Sequence, residues 1–367
     1  MSEWLSTLKY NPIEWLLESN NPSVRFFTLK DLLDYAADDP EVLKAKNAIM
    51  DDRRVSKILS KQNQEGHWEF PEKPYLPKYK SSYWQVMILA MLGVNESNMQ
   101  IQRAIKHIFQ FQHAEGGFTE LSEIGAREEH RFAIKRSLKK GREPPPFDTW
   151  AESKIRESEL TCLTGNVILA LVRLGHTDDE RVLRALKWLI AVQNVDGGWL
   201  CPYWKAHIKD KHGCFMGTIT PLHAFSEFPT KNMVPGMGSS IRRGAEFLLM
   251  HRLFMADHHD FKVIKESWLK FGFPQFFYDI LRGLSVVTEL GYATDSRIDD
   301  ALEILLRKQN NDGSWNLESS LVGRMQTTLE RKGGPSKWIT LDALRVIRRV
   351  YEARGSLAID ELELVHR

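Results

Sequence analysis

The chain has 367 residues, 43% of them hydrophobic and 27% charged, enough to bury a substantial core in one large helical domain or two ordinary ones. A net charge of +2 gives no global attraction to nucleic acid, and no apolar run approaches the roughly 18–20 residues that span a bilayer. The N-terminus lacks the basic-then-apolar order of a secretory signal, and three cysteines, an odd number, argue against a disulfide framework, so the chain reads as cytoplasmic.

Taken in order, residues 1–18 predict a short helix with Trp4, Leu5, Leu8, Trp15 and Leu16 on one stripe. Asn21, Pro22 and Ser23 open a second helix over 24–33, and a third follows over 40–61. Then comes a turn with Gln62, Gly66 and Trp68, a loop broken by Pro71, Pro74 and Pro77, and a far more apolar helix over 83–92. That order repeats. Gln112, Gly116 and Phe118 follow a helix over 98–112 and lead to one over 161–174. Gln193, Gly197 and Trp199 follow 179–192 and lead to 212–228. Gln309, Gly313 and Trp315 follow 297–308 and lead to 338–351. Each copy carries an acid just before its glycine: Glu65, Glu115, Asp196 or Asp312. A further unit pairs 240–253 with 274–290. Its turn is degraded, with Trp268 near the place of the aromatic.

A helix apolar all round is buried, whereas one with a single apolar stripe lies at the surface. Alternating the two predicts inner and outer layers, about six helices in each, closed into an all-α (α/α)6 toroid that makes residues 1–367 one domain. The motif glycine permits a tight turn, and the glutamine and aromatic staple it to the next unit. The one large departure is an insertion over about 119–158. It holds a basic run (Arg127, Arg131, Lys135, Arg136, Lys139, Lys140, Arg142) and three prolines, read as a solvated helix face or, alternatively, an anion-binding lid.

The Gln-xxx-Gly-x-Trp repeat on paired helices resembles the terpenoid cyclase and protein prenyltransferase superfamily over roughly 22–352. The resemblance implies an aromatic-lined funnel for an isoprenoid chain. Squalene-hopene-type cyclases of that superfamily protonate substrate with Asp-x-Asp-Asp. The nearest match here, Arg297-Ile298-Asp299-Asp300, has Arg in the essential first place. The Asp-Asp-x-x-Asp metal motif is absent. The prenyltransferase β subunit is the nearer match. Its zinc ligands imply that His212 and Cys214 correspond to its His-Thr-Cys segment and Cys162 to its zinc cysteine. No Asp precedes Cys162 by two residues, and Glu159, three before it, takes that place. Protein prenyltransferases also need a second, helical-repeat subunit, which nothing in this chain supplies.

The same residues cluster on their own chemistry. Adjacent inner-helix N-termini share one rim, which brings Cys162, His212 and Cys214 together, and Cys201 lies in the loop feeding that rim. Three cysteines and one histidine make a complete tetrahedral zinc set, and helix N-termini favour the thiolate. The alternatives are buried small thiols and a reactive thiol. Arg324, Arg331 and Lys337 before the last inner helix are candidates for a diphosphate, or else solvated loop charges. Tyr83, Trp84, Phe276, Tyr278 and Trp338 are candidates to line the funnel and stabilise a cation, or else core. Asp279, on an apolar helix, is a candidate general acid or base, because a carboxylate there needs a partner or faces a cavity. The leading expectation is a zinc-containing prenyltransferase-like enzyme that binds an isoprenoid diphosphate. The alternatives are a non-catalytic lipid- or peptide-binding toroid with structural zinc and a terpene cyclase-like enzyme.

Overall fold

The computed structural model describes residues 4, 5, 8, 10–120, 122–200, 211–321 and 323–355. These are mostly helical. The N-terminal stretch is less helical than its stripe predicts: α1 covers only Ile13–Leu16, although Trp4 and Leu5 are buried. Asn21 caps α2 (Pro22–Asp31) by accepting the N–H of Val24. The single helix expected over 40–61 is two, α3 (Pro40–Asp51) and α4 (Arg53–Leu59). Asp52 divides them because it adopts an extended conformation and accepts the N–H of Arg54 at 2.7 Å, beginning a new helix.

Next come α5 (Ser82–Met91) and α6 (Met99–Ile108), then two helices of the insertion, α7 (Glu123–Lys139) and α8 (Phe147–Glu157). They are followed by α9 (Thr161–Arg173), α10 (Glu180–Ala191), α11 (Phe215–Ser226) and α12 (Met237–Met250), and then α13 (Ile280–Val287), α14 (Asp299–Arg307) and α15 (Lys337–Arg354). The expected helix over 274–290 starts late, after the cap at Asp279. Short strand pairs tie the connections: β1 (Met255–Ala256) with β2 (Lys262–Val263), β3 (Gly272–Phe273) parallel to β5 (Ser319–Ser320), and β4 (Trp315–Asn316) antiparallel to β6 (Pro335–Ser336).

The apolar helices pack in succession, α5 on α9, α9 on α11, α11 on α13, α13 on α15 and α15 on α2. Their buried side chains join one continuous core with those of the amphipathic helices outside them. Among the described residues no helix is long and apolar enough to cross a membrane.

All four turn motifs fold alike. Each glutamine amide donates to the carbonyl of its own glycine and to a backbone carbonyl of the following unit: Gln62 to Gln100, Gln112 to Arg181 and Gln193 to Ser240. The backbone N–H of each motif aromatic donates to a hydroxyl in the next apolar helix, those of Ser82, Thr164, Thr218 and Thr340, at 2.9–3.1 Å. The indoles of Trp68, Trp199 and Trp315 donate back to Ile58, Leu189 and Leu305, each at 2.8 Å. The glycines have positive φ, and a Cβ on any of them would lie within 3.0 Å of the carbonyl oxygen of Arg103, Arg184, Arg243 or Tyr10. Only glycine meets both demands. The last copy makes its contact across the whole chain: Gln309 donates to Tyr10 at 3.2 Å.

Candidate functional site

The third turn motif positions the start of α11. Asp196 accepts the N–H of Gly198 at 3.0 Å and that of Gly213 at 2.6 Å, while the Cys214 N–H donates to Trp199 at 2.7 Å. His212 and Cys214 thereby face a cavity of about 820 Å³. Most of its wall comes from the connection between α12 and α13, where the repeat motif is degraded. Trp268 does not staple a turn there. It packs against Phe215 and Tyr278, with ring centroids 4.5 and 5.0 Å away, and those three rings and Phe277 line the cavity.

Asp279 lies on the same wall. It caps α13 by accepting the Arg282 N–H at 2.8 Å and accepts the Gly272 N–H at 2.9 Å. Only 7% of the residue is exposed, and burial raises its pKa to about 6 against the pull of those two donors. Tyr278 beside it donates its hydroxyl to Leu253, and burial holds its phenol well above the usual range.

The other expected residues are dispersed. Phe276 is fully buried against Trp84 at 4.8 Å, and Trp84 donates its indole N–H to Tyr75. Tyr83 is interlayer packing: its ring meets Phe111 and Phe118 and its hydroxyl donates to Thr119. Trp338 stacks on Phe273 at 4.7 Å and lines a second cavity of about 620 Å³ on the far side of that ring. Phe273 and Gln275 wall both cavities. Arg324 and Arg331 are exposed. Lys337 is not available to a diphosphate as expected, because it is buried with its ammonium 2.8 Å from Glu18 and 2.9 Å from Asn20. Glu159 is half-buried, its carboxylate 2.7 Å from His113 of the second turn motif.

His212 and Cys214 share the large cavity, where the His212 ring stands edge-on to His251 at 5.6 Å. Cys162, half-buried at the start of α9, is not among the residues walling that cavity. Cys201 lies outside the described residues. Among the described residues no three His, Cys, Asp or Glu side chains converge as a metal site.

The fully buried Arg282 was not anticipated from sequence. Its guanidinium meets Asn166 at 2.9 Å, His223 at 3.2 Å and the Phe277 carbonyl at 3.3 Å. Burial, then repulsion from Arg173, lowers its pKa to about 9. His223 is a satisfied core histidine, which burial lowers to about 4. On its other side lie Arg173 and Glu227, and Arg173 keeps the Glu227 carboxyl low even though burial opposes it. A lone arginine in the apolar run of α13 was the available signal.

No family model and no curated protein matches the chain. Among solved structures it is similar to a protein from Actinoplanes, with 13% identity over 91% of this chain and 89% of that one and a TM-score of 0.44. It is also similar to the type II terpene cyclase MstE from Scytonema, whose apo form shares 14% identity over 92% and 89% of the two chains, with a TM-score of 0.43. An MstE variant in complex with the product merosterolic acid A gives 15% identity over 91% and 87%, with a TM-score of 0.46.

Proposed function

We propose that the chain is a closed (α/α)6 toroid forming one domain, and that it acts on an isoprenoid-like apolar substrate held in the 820 Å³ cavity. The bond from Gln309 to Tyr10 and the packing of α15 on α2 support closure of the ring. The observation that carries the chemistry is a protonatable carboxyl, Asp279, on an aromatic wall. A carboxylic acid with a pKa near 6 is half protonated at that pH and serves as general acid. The faces of Trp268, Tyr278 and Phe277 stabilise a cation formed beside it. Asp299 and Asp300, the nearest match to the cyclase acid motif, are committed to ion pairs with Arg354 and Arg252. Asp279, rather than that pair, is then the acid on the aromatic wall, and it favours a cyclase-like reading over prenyl transfer.

Prenyl transfer with zinc is the second reading, supported by the common position of His212 and Cys214 at the cavity. Its donor set turns on Cys201, which lies outside the described residues. The test is binding and turnover of geranylgeranyl compounds, free and as diphosphate, by wild type and Asp279→Asn. Retained binding with turnover lost by at least about a hundredfold supports the acid role. Equal turnover by the two proteins removes it, and failure of the wild type to bind any of the compounds removes the substrate class.

A further inference from the structure

The insertion helix α7 carries charge out of proportion to the rest of the chain. Residues 123–142 hold seven cations against three acids, a net of +4, so the remaining sequence sums to −2 within a total of +2. The helix has two distinct faces. Ala126 and His130 point inward, the His130 ring lying 5.3 Å from Phe147 and 5.1 Å from Trp150 of α8. At 3.6 residues per turn, an arc of about 120° on the opposite side holds Ile124, Phe132 and Leu138 together with Arg131, Lys135 and Lys139, while Arg127 at its edge pairs with Glu123 and lies over Phe147. The three apolar residues are 60%, 65% and 62% exposed. The one acid in that arc, Glu128, is paired with Lys73 at 2.7 Å. The loop that Lys73 belongs to is also tied to α7 by the Ser122 hydroxyl, 2.8 Å from the Glu72 carbonyl, and it exposes Phe70 and Leu76.

We infer that this face of α7, with the adjoining loop, docks on an anionic lipid surface. Cations alone would suit any polyanion. Phe, Leu and Ile interleaved with them on one face suit a bilayer interface, where apolar side chains enter the acyl boundary and cations meet headgroups. A nucleic-acid backbone offers those apolar side chains no comparable burial. The patch is independent of the chemistry assigned to Asp279.

The full-length chain is sedimented with vesicles of phosphatidylcholine containing about 30% phosphatidylglycerol, and with pure phosphatidylcholine, at low and high salt. Binding is expected to the anionic vesicles and to weaken with salt. Replacing two cations, Arg131→Gln with Lys135→Gln, lowers partitioning about thirtyfold, at about 1 kcal/mol for each surface charge. Phe132→Ser lowers partitioning at every salt concentration. These side chains are exposed, so thermal melts of the variants match wild type. No binding to the anionic vesicles, equal binding to both compositions, or indifference to these substitutions overturns the inference. So does salt-sensitive binding of duplex DNA without binding of vesicles, which would reassign the face to nucleic acid.

Discussion

At the scale of single residues, the acid role proposed for Asp279 would tie activity to stability. Its carboxyl has a pKa of about 6 in the fold against 3.8 unperturbed, so the native state holds the proton more tightly than the unfolded chain does. Its contribution is therefore largest below pH 4 and is lost as pH rises through 6. The loss amounts to roughly 3 kcal/mol, at 1.36 kcal/mol per pKa unit. Asp279→Asn keeps a capping side chain without the charge. Denaturant midpoints measured from pH 4 to 8 should fall in the wild type relative to the variant, while wild-type turnover declines above pH 6. A constant difference in midpoint across that range would mean that the carboxyl titrates near its ordinary value. The cysteines are tested at the same scale. The zinc reading predicts about one equivalent per chain in purified protein, falling in both Cys201→Ala and Cys162→Ala, since a four-ligand site needs every donor. Retention of zinc by Cys162→Ala would exclude that residue, which the structure leaves outside the cavity of His212 and Cys214.

At the scale of elements, the turn motif was legible because its residues answer to local backbone needs: a positive φ at glycine, a close approach to the next helix, and a hydroxyl ready for the backbone N–H of the aromatic. Changing Gly197 to Ala places a methyl against the Arg243 carbonyl as well as straining the backbone. Trp199→Ala empties a fully buried indole site and costs about 3–5 kcal/mol. Both changes should lower the midpoint of chemical denaturation far more than Val195→Ala in the same turn, where the side chain is exposed. The cavity was harder to read for the complementary reason. It stands where the motif fails, and the connection between α12 and α13 has no repeated pattern from which to infer its path. Trp268 was noticed as a displaced motif aromatic, yet it packs on Phe215 and Tyr278 and lines the cavity. Lys337 misled in the opposite sense. It opens the last apolar helix, but the partner that neutralises it, Glu18, is 319 positions away and no local pattern announces that pair.

At the scale of the whole molecule, the first and last units are joined by several contacts across one seam. Gln309 reaches Tyr10, Lys337 reaches Glu18, Arg345 pairs with Asp31, and Arg348 pairs with Asp34 at 2.8 Å. A closed ring and an open arc whose ends merely touch differ in what such a seam contributes. In a ring the terminal staple is equivalent to the internal ones. Gln309→Ala should then cost the same as Gln112→Ala, because each glutamine donates once within its own turn and once to the following unit. Two such bonds are worth about 1–3 kcal/mol together. If the ends fray, the seam is already open in part of the native population, and Gln309→Ala costs much less than Gln112→Ala. Native-state hydrogen exchange separates the two cases directly. Ring closure gives the amides of α2 and α15 the same high protection as those of α9 and α11. Early exchange confined to α2 and α15, with a small penalty for Gln309→Ala, would show that the ends open while the middle holds, as expected of a solenoid with unequal nearest-neighbour interfaces.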